Sequence, residues 1–166
     1  MKLHFKLPVT ASIAVSFTLF PGSSPLLSAS QNLPRFADYP AQSVYLGKTH
    51  ALLPRYKNAH PKTGIPDAAQ RKADFAGHYV VIEAGCGAGC SDLSVMDART
   101  GKIYPFKPSI GRTDWDGLHY KVTSRLLVFR GELGVWDAKH ITHGTYYYVF
   151  KANHFVRLRY IHSKLE

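Results

Sequence analysis

Acidic side chains are scarce in this sequence. Eleven aspartates and glutamates face 21 lysines and arginines, a net charge of +10. Another basic protein would be repelled at long range, which counts against an inhibitor of a basic enzyme such as a lysozyme. The excess favours anionic partners: an acidic protein or an anionic cell-envelope component. No dense basic run and no DNA- or RNA-binding signature is present, so nucleic acid is set aside. There is no G-x-S-x-G nucleophile elbow. Cysteine is limited to Cys86 and Cys90, too few on their own for a four-ligand structural zinc site. After residue 30 no apolar run reaches the ~20 residues a membrane-spanning helix needs, and no internal repeat is visible. No cofactor is expected.

The one long apolar stretch is at the start. Lys2 and Lys6 precede a mostly apolar run from Leu7 to Phe20, Pro21-Gly22 breaks it, and Ser28, Ala29 and Ser30 follow. That order predicts a secretory signal peptide over residues 1–30, cleaved near Ser30. Without Lys2 and Lys6 the net charge of +10 becomes +8, and 136 of the 166 residues remain, a suitable length for one domain over 31–166. The mature protein is expected in the periplasm or outside the cell, with no transmembrane segment.

Export gives the cysteines a reading. They lie in Gly85-Cys86-Gly87-Ala88-Gly89-Cys90, and in an oxidising compartment a disulfide is the default. So small a ring contributes at most ~2 kcal/mol through chain entropy, so pinning a tight glycine-rich turn is the better reason for the bond. Gly85, Gly87 and Gly89 suit positive φ or close backbone approach. A redox pair is disfavoured because the spacing is not C-x-x-C. An anion nest is disfavoured because Glu83 and Asp92 flank the loop.

Residues 31–70 are rich in proline and read as an irregular arm, with a short helix or a turn over Pro66–Ala73. Residues 71–166 read as a β-rich domain. Strand patterns cover Phe75–Ala84, Leu93–Met96, Ile103–Tyr104, Leu118–Val122, Arg125–Phe129, Thr145–Phe150 and Phe155–Tyr160. Asp97, Thr100 and Gly101 form a turn after the second, and Gly131–Gly144 is expected to be a loop. In the last strand Val156, Leu158 and Tyr160 share one face, Arg157 and Arg159 the other. The expected fold is mainly β: about seven short antiparallel strands as a meander sheet or small barrel.

Four motifs occur in order: Phe75-Ala76-Gly77-His78-Tyr79, the glycine–cysteine loop, Asp97 with Thr100-Gly101-Lys102, and Ser124-Arg125-Leu126-Leu127. Together they resemble an uncharacterised family of small exported bacterial proteins, over roughly residues 71–151. The resemblance implies membership and no activity. The chain departs from the family's pattern at Asp74, Ala84 and Thr123, where asparagine, tryptophan and aspartate are usual.

His78 is the most pointed single residue. It reads either as a core histidine beside Val80 and Ile82, or as a general base or ligand near the cysteine loop. His140 and His143, with Asp137 and His119, read as loop histidines rather than a metal site. Asp114-Trp115-Asp116-Gly117 reads as a turn, because the later ligands of a calcium loop are missing. An exposed edge of Tyr147, Lys151, Arg157 and Arg159 is the candidate contact surface.

The leading expectation is a non-enzymatic exported binding module for an acidic protein or an anionic envelope component. The alternatives are a small periplasmic hydrolase using His78 with Glu83 or Asp92, and a toxin-neutralising immunity protein. If backbone geometry rather than the cross-link dominates the loop, Gly87→Val lowers the thermal midpoint more than Cys86→Ser. The opposite order in a melting experiment would assign the greater share to the disulfide.

Overall fold

The computed structural model describes residues 32–57, 64–87, 89–111, 117–134 and 141–163. The leader expected over 1–30 lies outside these residues, as do Asp114, Trp115, Asp116, Asp137 and His140. Eight antiparallel strands are described: β1 (Tyr79–Gly87), β2 (Cys90–Asp97), β3 (Ile103–Pro105), β4 (Ile110–Gly111), β5 (Leu118–Tyr120), β6 (Leu126–Leu133), β7 (Thr142–Lys151) and β8 (His154–His162). They form one sheet in the order β1-β2-β4-β6-β7-β8, with β3 on β2 and β5 on β6. The sheet is open, not a closed barrel, and the mainly β reading holds.

The run Tyr79-Val80-Val81-Ile82 is buried at every position because both faces of the sheet are covered there. Val81, Leu93 and Val95 join the larger core with Phe75, Phe129 and Tyr146, while Val80, Ile82 and Met96 pack on the other side. That second face is closed by the N-terminal arm through Tyr45, Leu52, Ile65 and Ala68. Where a short helix or a turn is expected over Pro66–Ala73, the chain forms one helical turn, α2 (Ile65–Ala68), and α1 (Pro54–Lys57) precedes it. Burying one large apolar side chain contributes ~1.5–3 kcal/mol, so the arm stabilises the sheet rather than trailing from it.

As the outermost strand of the β1-β2 end, β1 needs partners for its free backbone edge. Asp74 Oδ1 accepts from the Val81 amide at 2.9 Å, and Arg71 Nη1 donates to the Val81 carbonyl at 2.9 Å. Arg71 also pairs with Asp74. Burial raises the Asp74 carboxyl above the ordinary aspartate range, against the opposing pull of the Val81 amide and Arg71.

Three strand expectations need correction. Gly131 and Gly144 are not loop ends; they face each other across β6 and β7. A Cβ at Gly144 would strike the Ile161 carbonyl and the Tyr160 ring, so glycine is there for close packing, not for a turn. Val156 and Leu158 do not face the core. A bulge shifts the β7–β8 register so that Tyr147 pairs with Arg159 and Tyr148 with Arg157. Phe155 and Tyr160 then pack inward while Val156 and Leu158 are exposed. His78 precedes β1 and lies in a turn, not on an alternating strand.

The arm's attachment is specific. Ser124 is 1 % exposed, and its Oγ lies 2.8 Å from the Phe36 carbonyl and 3.0 Å from the Tyr39 carbonyl while accepting from the Leu126 amide. Backbone bonds extend the seam: Ala41 to Thr123, Arg125 to Tyr39, and Tyr45 to Gly77. Gly77 has φ 87°, and a Cβ there would meet the Ser43 carbonyl. Ser124→Ala should cost about 1–3 kcal/mol in chemical denaturation, because buried polar groups lose their partner. It should also make residues 32–45 more sensitive to protease. Unchanged stability would show that the backbone seam alone holds the arm.

Candidate functional site

A pocket of about 510 Å³ opens where the arm meets one end of the sheet. The arm supplies Pro40, Gln42 and Ser43; the turn into β1 supplies Ala76, His78 and Tyr79. Arg99, from the turn after β2, and Arg125, just ahead of β6, add two guanidinium groups. Phe150, Lys151, Ala152 and Asn153 close it from the end of β7 and the turn into β8. Among the described residues no carboxylate lines it.

Each cation is positioned by local chemistry. Asp97 opens the turn as its sequence suggests: its Oδ1 accepts from the Arg99 amide at 2.8 Å, its carbonyl accepts from Thr100 and Gly101, and Gly101 takes φ 70°. That turn aims Arg99 Nη2 at His78 Nε2, 2.6 Å away, with Asp97 Oδ1 3.6 Å from Arg99 Nε. Arg125 Nε donates to the Pro40 carbonyl at 3.2 Å. Lys151 is exposed next to a tight turn in which Ala152 and Asn153 take φ 49° and 66°. The Tyr79 hydroxyl donates to Asn153 Oδ1 at 3.2 Å. Burial, with Asp97 adding to it, pushes the Tyr79 phenol up to about 12, so it stays a neutral donor.

His78 is half-buried, not a sealed core residue. Arginine has donors only, so Nε2 is the acceptor and neutral His78 carries its proton on Nδ1. Burial lowers its pKa below the ordinary histidine value, Arg99 lowers it further, and Asp97 opposes both.

The glycine–cysteine loop is elsewhere. Tyr79 pairs with Asp97 at one end of the β1–β2 ladder and Gly87 with Cys90 at the other. Cys86 and Cys90 form a disulfide with Cα atoms 5.3 Å apart. Gly87 takes φ 134° and Gly89 φ 74°, the left-handed region that favours glycine, whereas a Cβ at Gly85 would meet nothing within 4 Å. From His78 to Cys86 is eight residues, roughly 26 Å along an extended strand. Glu83 lies opposite Leu93, and Asp92 opposite Ala84, accepting from Ser109. The chain does not bring His78 to Glu83 or Asp92, so the pairing behind the hydrolase reading has no geometry to support it.

The expected contact surface divides. Tyr147 is buried, 8 % exposed, like Tyr146 and Tyr148 on either side of it, so it is not a contact residue. Lys151 belongs to the pocket, while Arg157 is exposed and Arg159 half-buried on β8. Burial raises the Tyr148 phenol pKa, and the positive charge of Arg157 opposes the shift. His143 faces Glu132 across the β6–β7 ladder and His119 faces Val128. Among the described residues no group of three metal-ligating side chains is assembled. A larger cavity of about 710 Å³ lies by Ala84, Leu93, Ile103 and Phe106, with mostly apolar walls and two charged lining residues of opposite sign, Asp92 and Lys107.

Arg99 and Asn153 were not marked as site residues by the sequence, and Arg125 only as part of a motif. The available signal was their place in or beside the motifs: Arg99 sits between Asp97 and Thr100, and Arg125 follows Ser124.

Because folding lowers the His78 pKa, the folded state binds fewer protons than the unfolded chain as pH falls below about 6.5. His78 therefore costs stability on acidification, from the ordinary histidine pKa down to its lowered folded value. Thermal melts of wild type and His78→Gln between pH 7.5 and 5 should show a smaller acid loss in the variant. Parallel curves would mean that His78 titrates alike in both states.

Compared with protein-family models, with curated proteins and with solved structures, the chain matches none.

Proposed function

We propose that this protein is an exported, non-enzymatic binding module that receives an anionic group in the pocket walled by His78, Arg99, Arg125 and Lys151. The group belongs to an acidic protein or to an anionic component of the cell envelope. The observation that carries the reading is the convergence of three cations from three separate chain segments on one concavity that no described carboxylate lines. Such a concavity concentrates positive potential, because its protein walls screen less than water does. The chain's net charge of +10 points the same way, and the leader-like first thirty residues favour a partner outside the cytoplasm.

Three of the four sequence motifs meet at this pocket. Phe75–Tyr79, Asp97–Lys102 and Ser124–Leu127 all contribute to the pocket or to the turns that shape it. The glycine–cysteine motif instead stiffens the far end of the β1–β2 hairpin, where the Cys86–Cys90 bond closes the turn.

Binding to an immobilised polyanion should weaken as salt rises from roughly 0.02 to 0.3 M, as the screening length shortens. It should fall further in Arg99→Ala/Lys151→Ala. Binding that ignores salt or survives both substitutions would sink the reading. So would turnover of an envelope substrate that disappears in His78→Ala.

A further inference from the structure

We infer that the anionic group this pocket takes is a phosphate monoester rather than a carboxylate. The inference rests on the anion-binding reading above and narrows it. Three cations line the pocket, and one carboxylate, Asp97, stands behind Arg99, leaving a local excess of two positive charges. A phosphate monoester carries about −1.5 to −2 near neutral pH and presents three terminal oxygens, which matches that excess. A carboxylate carries one charge and two oxygens, and would leave one cation uncompensated.

The donor geometry agrees. Arg99 already spends Nη2 on His78 and Arg125 spends Nε on Pro40, so each keeps part of its guanidinium fork for a ligand. Two partial forks and a lysine, arriving from different segments, suit several oxygens around one centre better than a single planar pair. Neutral His78 holds Arg99 in place without adding a fourth charge to the pocket. The cavity of about 510 Å³ also exceeds what a phosphate alone needs. Phe150, Ala76 and Pro40 offer an apolar wall for the carbon skeleton that bears it.

The test compares glycerol 3-phosphate with glycerate, the same skeleton ending in a carboxylate, by calorimetry at pH 7.5 on the purified protein. Vesicles of phosphatidylcholine with and without phosphatidic acid form a third arm. The expected result is phosphate binding roughly tenfold or more tighter than glycerate, reduced by a similar factor in Arg99→Ala and in Lys151→Gln. Arg157→Ala, outside the pocket, should bind as wild type does. Melting curves of each variant guard against misfolding, and Lys151, exposed beside its turn, is the safer of the two positions. If only the phosphatidic acid vesicles bind, and bind through Lys151, the inference stands and the phosphate belongs to a lipid. Equal binding of glycerate and glycerol 3-phosphate overturns the inference and leaves the anion-binding reading intact. If neither ligand nor the vesicles bind, both fall.

Discussion

One buried hydroxyl connects the parts of this protein that matter most. Ser124 ties the carbonyls of Phe36 and Tyr39 to the start of β6, and the chain on either side continues the bond as a backbone seam. An unpaired carbonyl at that depth would be costly, so the arm and the sheet meet in one register only. Two consequences follow. The second face of β1 and β2 is covered, which lets Val80 and Ile82 be apolar as well as Val81. The arm also becomes a wall of the cationic pocket, next to Arg125, whose own amide donates to Tyr39.

The pocket holds a charge imbalance that the rest of the fold maintains. Like charges do not gather in a concavity without a reason, since each raises the cost of the next. Here Asp97 moderates Arg99, a neutral histidine accepts from it, and a backbone carbonyl holds Arg125. None of these partners cancels the excess. The mostly apolar cavity on the β1–β3 side is larger, and its two charged lining residues, Asp92 and Lys107, are of opposite sign, so it carries no comparable imbalance.

The tyrosine run shows how sequence patterns both inform and mislead. Tyr146-Tyr147-Tyr148 was readable as a strand, and alternation put successive rings on opposite faces. What alternation could not say is that the middle ring is buried as well. The last strand misled for a related reason. Strict period two places Val156, Leu158 and Tyr160 together, but one bulge between Arg157 and Arg159 breaks the parity, so Tyr160 packs inward with Phe155 while Val156 and Leu158 are exposed. No residue type in that stretch announces the bulge.

The sequence by itself determined the mainly antiparallel β class, the Asp97–Gly101 turn, the pairing of Cys86 with Cys90 and the positive charge. Each of these rests on composition or on residues within a few positions of one another. The tertiary structure alone decided that β4 links the two halves of the sheet and that the arm closes one face. It also placed His78 with Arg99, Arg125 and Lys151, and far from the cysteine loop. Those residues come from separate stretches of chain, joined by strand order and by the Ser124 seam. The reason is physical: strand order is a choice among long-range pairings whose local sequences are equally content with several partners, and the choice is made by burying both faces of the sheet at once.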